Sequence, residues 1–222
     1  MCAAILTCGM TWSASAGPTV TIQGGLYQAG SGGEFDATVI SPDIPRLPVG
    51  SVFPTFCMEK NEYITLGNSY YASAATYANW GGVAGGPMDP LDPRTAWLYN
   101  EFLNQTLSGY DFSTTTGRQQ SAEALQHAIW YLEQEETADQ INQLTTLVRD
   151  ATWAFVNQAD GSPWEQQDTI GDVRVLNLCK DVEGSDRAQD VLCRLTPVPA
   201  PGALLLTGVG TLLVGLFRRR RT

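Results

Sequence analysis

The chain has 222 residues, 43% hydrophobic and 16% charged, which fits one folded domain with a substantial core and excludes a disordered chain. Its formal charge is −10, and four of its thirteen basic residues form the terminal run Arg218, Arg219, Arg220 and Arg221. The rest is strongly acidic, which argues against phosphate backbones and so against nucleic acid as a partner.

Residues 1–12 carry no charge and are largely apolar, and Ala14-Ser15-Ala16 is the small-x-small pattern that signal peptidase cuts after. Residues 1–16 are therefore expected to be a signal peptide. Residues 19–22 and 35–40 read as short β segments separated by glycines, and prolines at 42, 45 and 48 mark a loop. Residues 52–56 form a further apolar segment that leads into Cys57, with 63–66 as its expected hairpin partner. Gly81-Gly82, Gly85-Gly86-Pro87 and Asp89-Pro90-Leu91-Asp92-Pro93 make a long turn region ending at a helix start.

Apolar residues then recur at helical spacing over 94–107, 121–134 and 141–157, which predicts three successive helices. In the second, Leu125, Ala128, Ile129 and Leu132 make the core stripe, and Gln126 stands on its border. Residues 173–179 alternate, and 191–195 answer them across a polar loop, predicting a closing hairpin. Asp181, Glu183, Asp186 and Asp190 lack the spacing of a calcium loop and read as a solvated acidic turn. No zinc spacing, phosphate loop or Ser-His-Asp arrangement occurs, and no metal or cofactor is expected.

Residues 202–217 carry no charge and run directly into Arg218 to Arg221, a stop-transfer pattern. As a helix they span about 24 Å, short of a full bilayer core but rescuable by snorkelling arginines. The expected fold is α+β: a β-sandwich or barrel-like domain over 17–196, with a three-helix insert at about 94–157 and a C-terminal transmembrane helix.

Of five cysteines, Cys2 and Cys8 fall in the leader, which leaves Cys57, Cys179 and Cys193. Cys179 and Cys193 sit on the two arms of the closing hairpin, so a disulfide between them is the economical pairing if the register sets them opposite one another. Cys57 is then the odd thiol. It reads either as a small buried hydrophobe or as a chemical group.

Val198-Pro199-Ala200-Pro201, the glycine-bearing apolar segment and the terminal arginines together resemble the PEP-CTERM sorting signal of Gram-negative bacteria, with Ala200 where that signal usually has Glu. The resemblance implies a sorting tail over 197–222, transient anchoring in the inner membrane, recognition by an exosortase-type processing enzyme, and delivery to the cell surface or an exopolysaccharide matrix. Phe56-Cys57-Met58-Glu59 and Leu125-Gln126-His127-Ala128-Ile129-Trp130 resemble the two halves of the thioester domain of bacterial surface adhesins. This second resemblance implies an internal thioester between Cys57 and Gln126, and single-use covalent attachment to a surface or matrix target bearing an amine or hydroxyl, without enzymatic turnover.

The chemistry suits these residue types. A cysteine is the best protein nucleophile near neutral pH, and an amide held against it can be attacked with loss of ammonia. Proximity must supply most of the rate, because amides are poor electrophiles. Phe56 and Trp130 would shield the bond from water. His127 lies about 100° round the helix from Gln126 and reads as a surface residue or as a proton acceptor for the incoming nucleophile. Two rival readings are a structural surface or matrix protein without a reactive thioester, and a Cys-His hydrolase using Cys57 and His127.

Overall fold

The computed structural model describes residues 17–196 except Ser31, Pro42, Asp43, Ala84 and Gly85. The expected signal peptide and the expected sorting tail, with Val198, Pro199, Pro201 and the four arginines, lie outside the described residues. Among the described residues no helix is long and apolar enough to cross a membrane.

The chain begins with β1 (Thr19–Gly24), β2 (Phe35–Ser41) and β3 (Val52–Thr55), followed by β4 (Ser69–Ala75) and the hairpin β5 (Tyr77–Trp80) and β6 (Pro87–Pro90). Helices α1 (Pro93–Asn104), α2 (Thr115–Leu132), α3 (Ala138–Asn142), α4 (Thr146–Ala159) and α5 (Pro163–Gln166) come next, and β7 (Val173–Cys179) and β8 (Val191–Arg194) close the fold. This is an α+β protein. Its large sheet is antiparallel throughout, in the order β3-β2-β1-β4-β7-β8, while β5 and β6 pair separately.

The period-2 pattern places the sheet. Val20 and Ile22 of β1, and Phe35, Ala37 and Val39 of β2, turn to one buried face, while the intervening residues are more exposed. Strand β7 is buried on both faces. Val173 and Val175 join the helical core, and Leu176 and Leu178 join the core enclosed by the sheet. The two edges of the sheet also meet. Just after β3, the Met58 N–H donates to the Asp190 carbonyl (2.9 Å), the Leu192 N–H donates to the Phe56 carbonyl (3.1 Å), and Cys57 bridges Val191 in antiparallel fashion.

Helix α2 is the central helix. Thr114 caps it by accepting from Gly117 N, and Ala122, Leu125, Ala128, Ile129 and Leu132 bury a stripe in the same core as Val148, Phe155 and Val156 of α4. Phe56 enters this core from the sheet edge, with its ring 5.0 Å from that of Phe102 and edge-on to it. Full burial of a side chain such as Phe56 or Phe102 contributes about 1.5–3 kcal/mol.

Several expectations are corrected. Residues 63–66 are not a strand; β3 pairs with β2 instead, and the next strand is β4, six residues further on, which lies between β1 and β7. The turn region after residue 80 contains a hairpin strand, and five helical segments rather than three are described. The Cys179–Cys193 disulfide is absent because the register sets Cys193 opposite Arg174, whereas Cys179, five residues further along β7, faces Tyr71 on one side and Arg187 on the other. None of Cys57, Cys179 and Cys193 is joined in a disulfide. The acidic turn is solvated only in part. Asp181 binds Ser185 and Asp186 within the loop, but Asp190 is buried, accepts from Leu178 N (2.9 Å), and burial pushes its carboxyl up to about 8.

Candidate functional site

Cys57 and Gln126, 69 residues apart, meet at the seam where the sheet edges join. Phe56 and Cys57 occupy consecutive positions of an extended segment and so face opposite ways. Phe56 faces the helical core, and Cys57 faces the core enclosed by the sheet, which Trp130 of α2 also enters. Cys57 is 3% exposed and Gln126 1%.

The Gln126 amide lies along the backbone of Cys57 as a neighbouring strand would. Its Oε1 accepts from Cys57 N (2.9 Å), and its Nε2 donates to the Cys57 carbonyl (2.8 Å). Oε1 accepts a second bond from Gly33 N (3.0 Å). A buried amide without such partners would be strongly unfavourable, and three bonds of normal length here fix its carbonyl carbon beside Cys57. Asn would be one methylene too short for this span, and an ionised Glu would set a charge against the Cys57 carbonyl.

The Gly33 side of the site is the glycine-bearing loop between β1 and β2. Its glycines are needed for close approach. A Cβ on Gly32 would lie 2.4 Å from Gln126 Cγ, and one on Gly33 would lie 2.0 Å from the Phe56 ring. Phe56 thus packs beneath this loop rather than beside the thiol. Buried Glu34 anchors the segment to α2: it receives Arg118 Nε (2.9 Å) and Nη2 (2.6 Å), and the Tyr110 hydroxyl (3.0 Å). The Arg118 guanidinium also sits 4.0 Å above the Tyr27 ring.

A cleft of about 80 Å³ opens between this loop and α2, lined by Gly30 and Gly32 on one side and by Glu123, Gln126, His127 and Trp130 on the other. Gln126 forms part of its wall. His127 stands at the mouth, with its Nδ1 2.7 Å from Glu136 Oε2 and its ring 5.5 Å from that of Trp130. Glu136 is also ion-paired with Lys60. Burial pushes the Glu136 carboxyl up, but the bonds from His127 and Lys60 outweigh it and hold the group below its ordinary value.

Burial pushes the Cys57 thiol well above its ordinary value. A Cys-His hydrolase needs the reverse, a thiolate stabilised by imidazolium. The buried thiol keeps its proton until a reacting partner takes it.

A second cluster had no signal in the sequence. Glu59 Oε2 accepts from Gly82 N (2.6 Å), and Glu135 accepts from Val83 N (2.5 Å) and Lys60 N (2.9 Å), so two carboxylates clamp the turn after β5. Burial, reinforced by Glu135, pushes the Glu59 carboxyl up to about 9. Among the described residues no group of three His, Cys, Asp or Glu side chains is placed to hold a metal ion. Comparison of the chain with protein families, curated proteins and solved structures finds no match.

Proposed function

We propose that the chain is an exported surface or matrix protein that closes an internal thioester between Cys57 and Gln126 and spends it once in covalent attachment to a target. The observation that carries this reading is the Gln126 amide hydrogen-bonded at both ends to the Cys57 backbone inside a dry seam. In the first step Cys57 Sγ attacks Gln126 Cδ. The C–N bond breaks, the thiol proton leaves with the nitrogen, and ammonia departs, so an amide and a thiol become a thioester. Prealignment supplies the effective molarity that a poor electrophile requires. In the second step an amine or hydroxyl of the target enters by the cleft, bonds to Cδ and displaces Cys57, which recovers a proton from the nucleophile. His127, which lines that cleft, is the proton acceptor in this reading.

Export rests on the leader at 1–16 and on the Val198-Pro199-Ala200-Pro201 tail with its apolar segment and arginines, for which an exosortase-type enzyme and the inner membrane are the proposed partners. Within the α+β fold, the closed edges of the sheet favour a barrel-like body carrying the helices as an insert.

Intact mass of the purified body tests the chemistry. The protein should weigh one ammonia less than its sequence, and Cys57→Ala or Gln126→Ala should each restore the full mass. A full mass in the unsubstituted protein would favour a structural surface protein of the same fold.

A further inference from the structure

The two donors on Gln126 Oε1 come from separate parts of the chain and converge on one oxygen, Cys57 N at 2.9 Å and Gly33 N at 3.0 Å. An ordinary buried amide needs only one acceptor bond there. In thioester formation and in transfer to a target, Cδ becomes tetrahedral and this oxygen takes the negative charge. Two backbone N–H groups already aimed at it, where water is excluded, are the arrangement that stabilises such an oxyanion without reorganisation.

The two donors are held in different ways. Cys57 N belongs to the seam, whose flanking bonds from Met58 N to Asp190 O and from Leu192 N to Phe56 O fix its direction. Gly33 N has no strand partner. It is followed directly by Glu34, a buried carboxylate whose two oxygens receive Arg118 twice and Tyr110 once. Arg118 lies on α2 eight residues, a little over two turns, before Gln126, so the same helix carries the acyl group and the arginine that sets one of its donors. Burying an Arg–Glu pair carries a desolvation penalty that its own attraction only partly offsets, so stability alone is a weak reason for this cluster.

We propose that the Gly33 and Cys57 N–H groups form an oxyanion-binding site for the Gln126 acyl oxygen, and that Glu34, Arg118 and Tyr110 are positioning residues that hold Gly33 for it. The assignment rests on the thioester reading. Neither donor is a side chain, and the glycines at 32 and 33 are what let the loop come this close.

The test uses the mature full-length body, with methylamine as the nucleophile and ¹³C-labelled glutamine to follow the thioester carbonyl by infrared spectroscopy. Arg118→Gln should form the thioester but react with methylamine roughly 10- to 100-fold more slowly, the scale of a weakened oxyanion donor. Its carbonyl stretch should move to higher frequency as the hydrogen bond from Gly33 lengthens. Arg118→Lys should recover part of both. If Arg118→Gln fails to fold, Tyr110→Phe, which removes a single hydroxyl, should shift the carbonyl the same way with a several-fold slower reaction. A merely structural role for Arg118 would leave the carbonyl frequency of the folded variant unmoved. An unchanged rate and frequency in folded variants that still lack one ammonia would overturn the oxyanion assignment and leave the thioester standing. A full-mass unsubstituted protein would overturn both.

Discussion

At the scale of single residues, the site depends on fits of a few tenths of an ångström. Gln126 reaches the Cys57 backbone only because Gly32 leaves room for its side chain, and a methyl at Gly32 would stand 2.4 Å from Gln126 Cγ. Gly32→Ala is therefore expected to destabilise the protein by about 1–3 kcal/mol, the usual cost of overpacking, and to suppress ammonia loss in the molecules that fold. Denaturant unfolding and intact mass read the two effects separately, and ammonia loss at the unsubstituted level would contradict this account of the glycine. The Cys and Gln were legible from their surroundings, an aromatic before the cysteine and a Gln-x-Ala-Ile-Trp segment on a helical period. Gly33, Glu34 and Arg118 were not. They act through a backbone N–H and an ion pair 84 residues apart in sequence, and neither has a local pattern.

At the scale of elements, periodicity found what is amphipathic and missed what is small. The buried stripe of α2 was read correctly, but its start was placed at residue 121 instead of Thr115, because Thr115, Thr116 and Gly117 are poor helix formers until Thr114 caps them. Strand β4 was missed because its Ser and Ala residues lack the branched character of a strand; they suit a position between β1 and β7. The hairpin of β5 and β6 was hidden by its prolines and glycines, and carboxylates from the sheet edge and the end of α2 hold its turn. That clamp sets a pH dependence. The Glu59 carboxyl rises from 4.5 to about 9 in the folded protein, so its contribution is complete below about pH 4.5 and is lost as the pH rises toward 9. Asp190, pushed up to about 8, acts in the same direction. Thermal unfolding midpoints should therefore fall between pH 5 and 9, and Glu59→Gln should flatten part of that fall. A slope unchanged by the substitution would remove Glu59 from the explanation.

At the scale of the whole molecule, the sheet that closes through residues 56–58 puts the thiol and the helix-borne amide in one buried place, with a small cleft beside α2 lined in part by Gln126. Fold class was readable from the succession of β, α and β patterns. Strand register was not, and with it went the disulfide, since pairing of cysteines depends on which residues stand opposite one another across β7 and β8. The three thiols should accordingly differ in access. Iodoacetamide under native, non-reducing conditions should label half-buried Cys179 first and leave buried Cys193 untouched until denaturation. A Cys179–Cys193 bridge in the peptide map would contradict the register. If the proposed thioester is present, Cys57 should escape the reagent under denaturing conditions in which Cys193 is labelled.

Cys57 and Gln126 can be interrogated directly by peptide mapping of the purified body, digested under acidic, non-reducing conditions with and without prior methylamine. The account predicts a Cys57 peptide joined to a Gln126 peptide and lighter by one ammonia. After methylamine it predicts two separate peptides, with Cys57 free and N-methylamide at position 126. Separate, unmodified peptides before any treatment, with Cys57 open to alkylation, would contradict it.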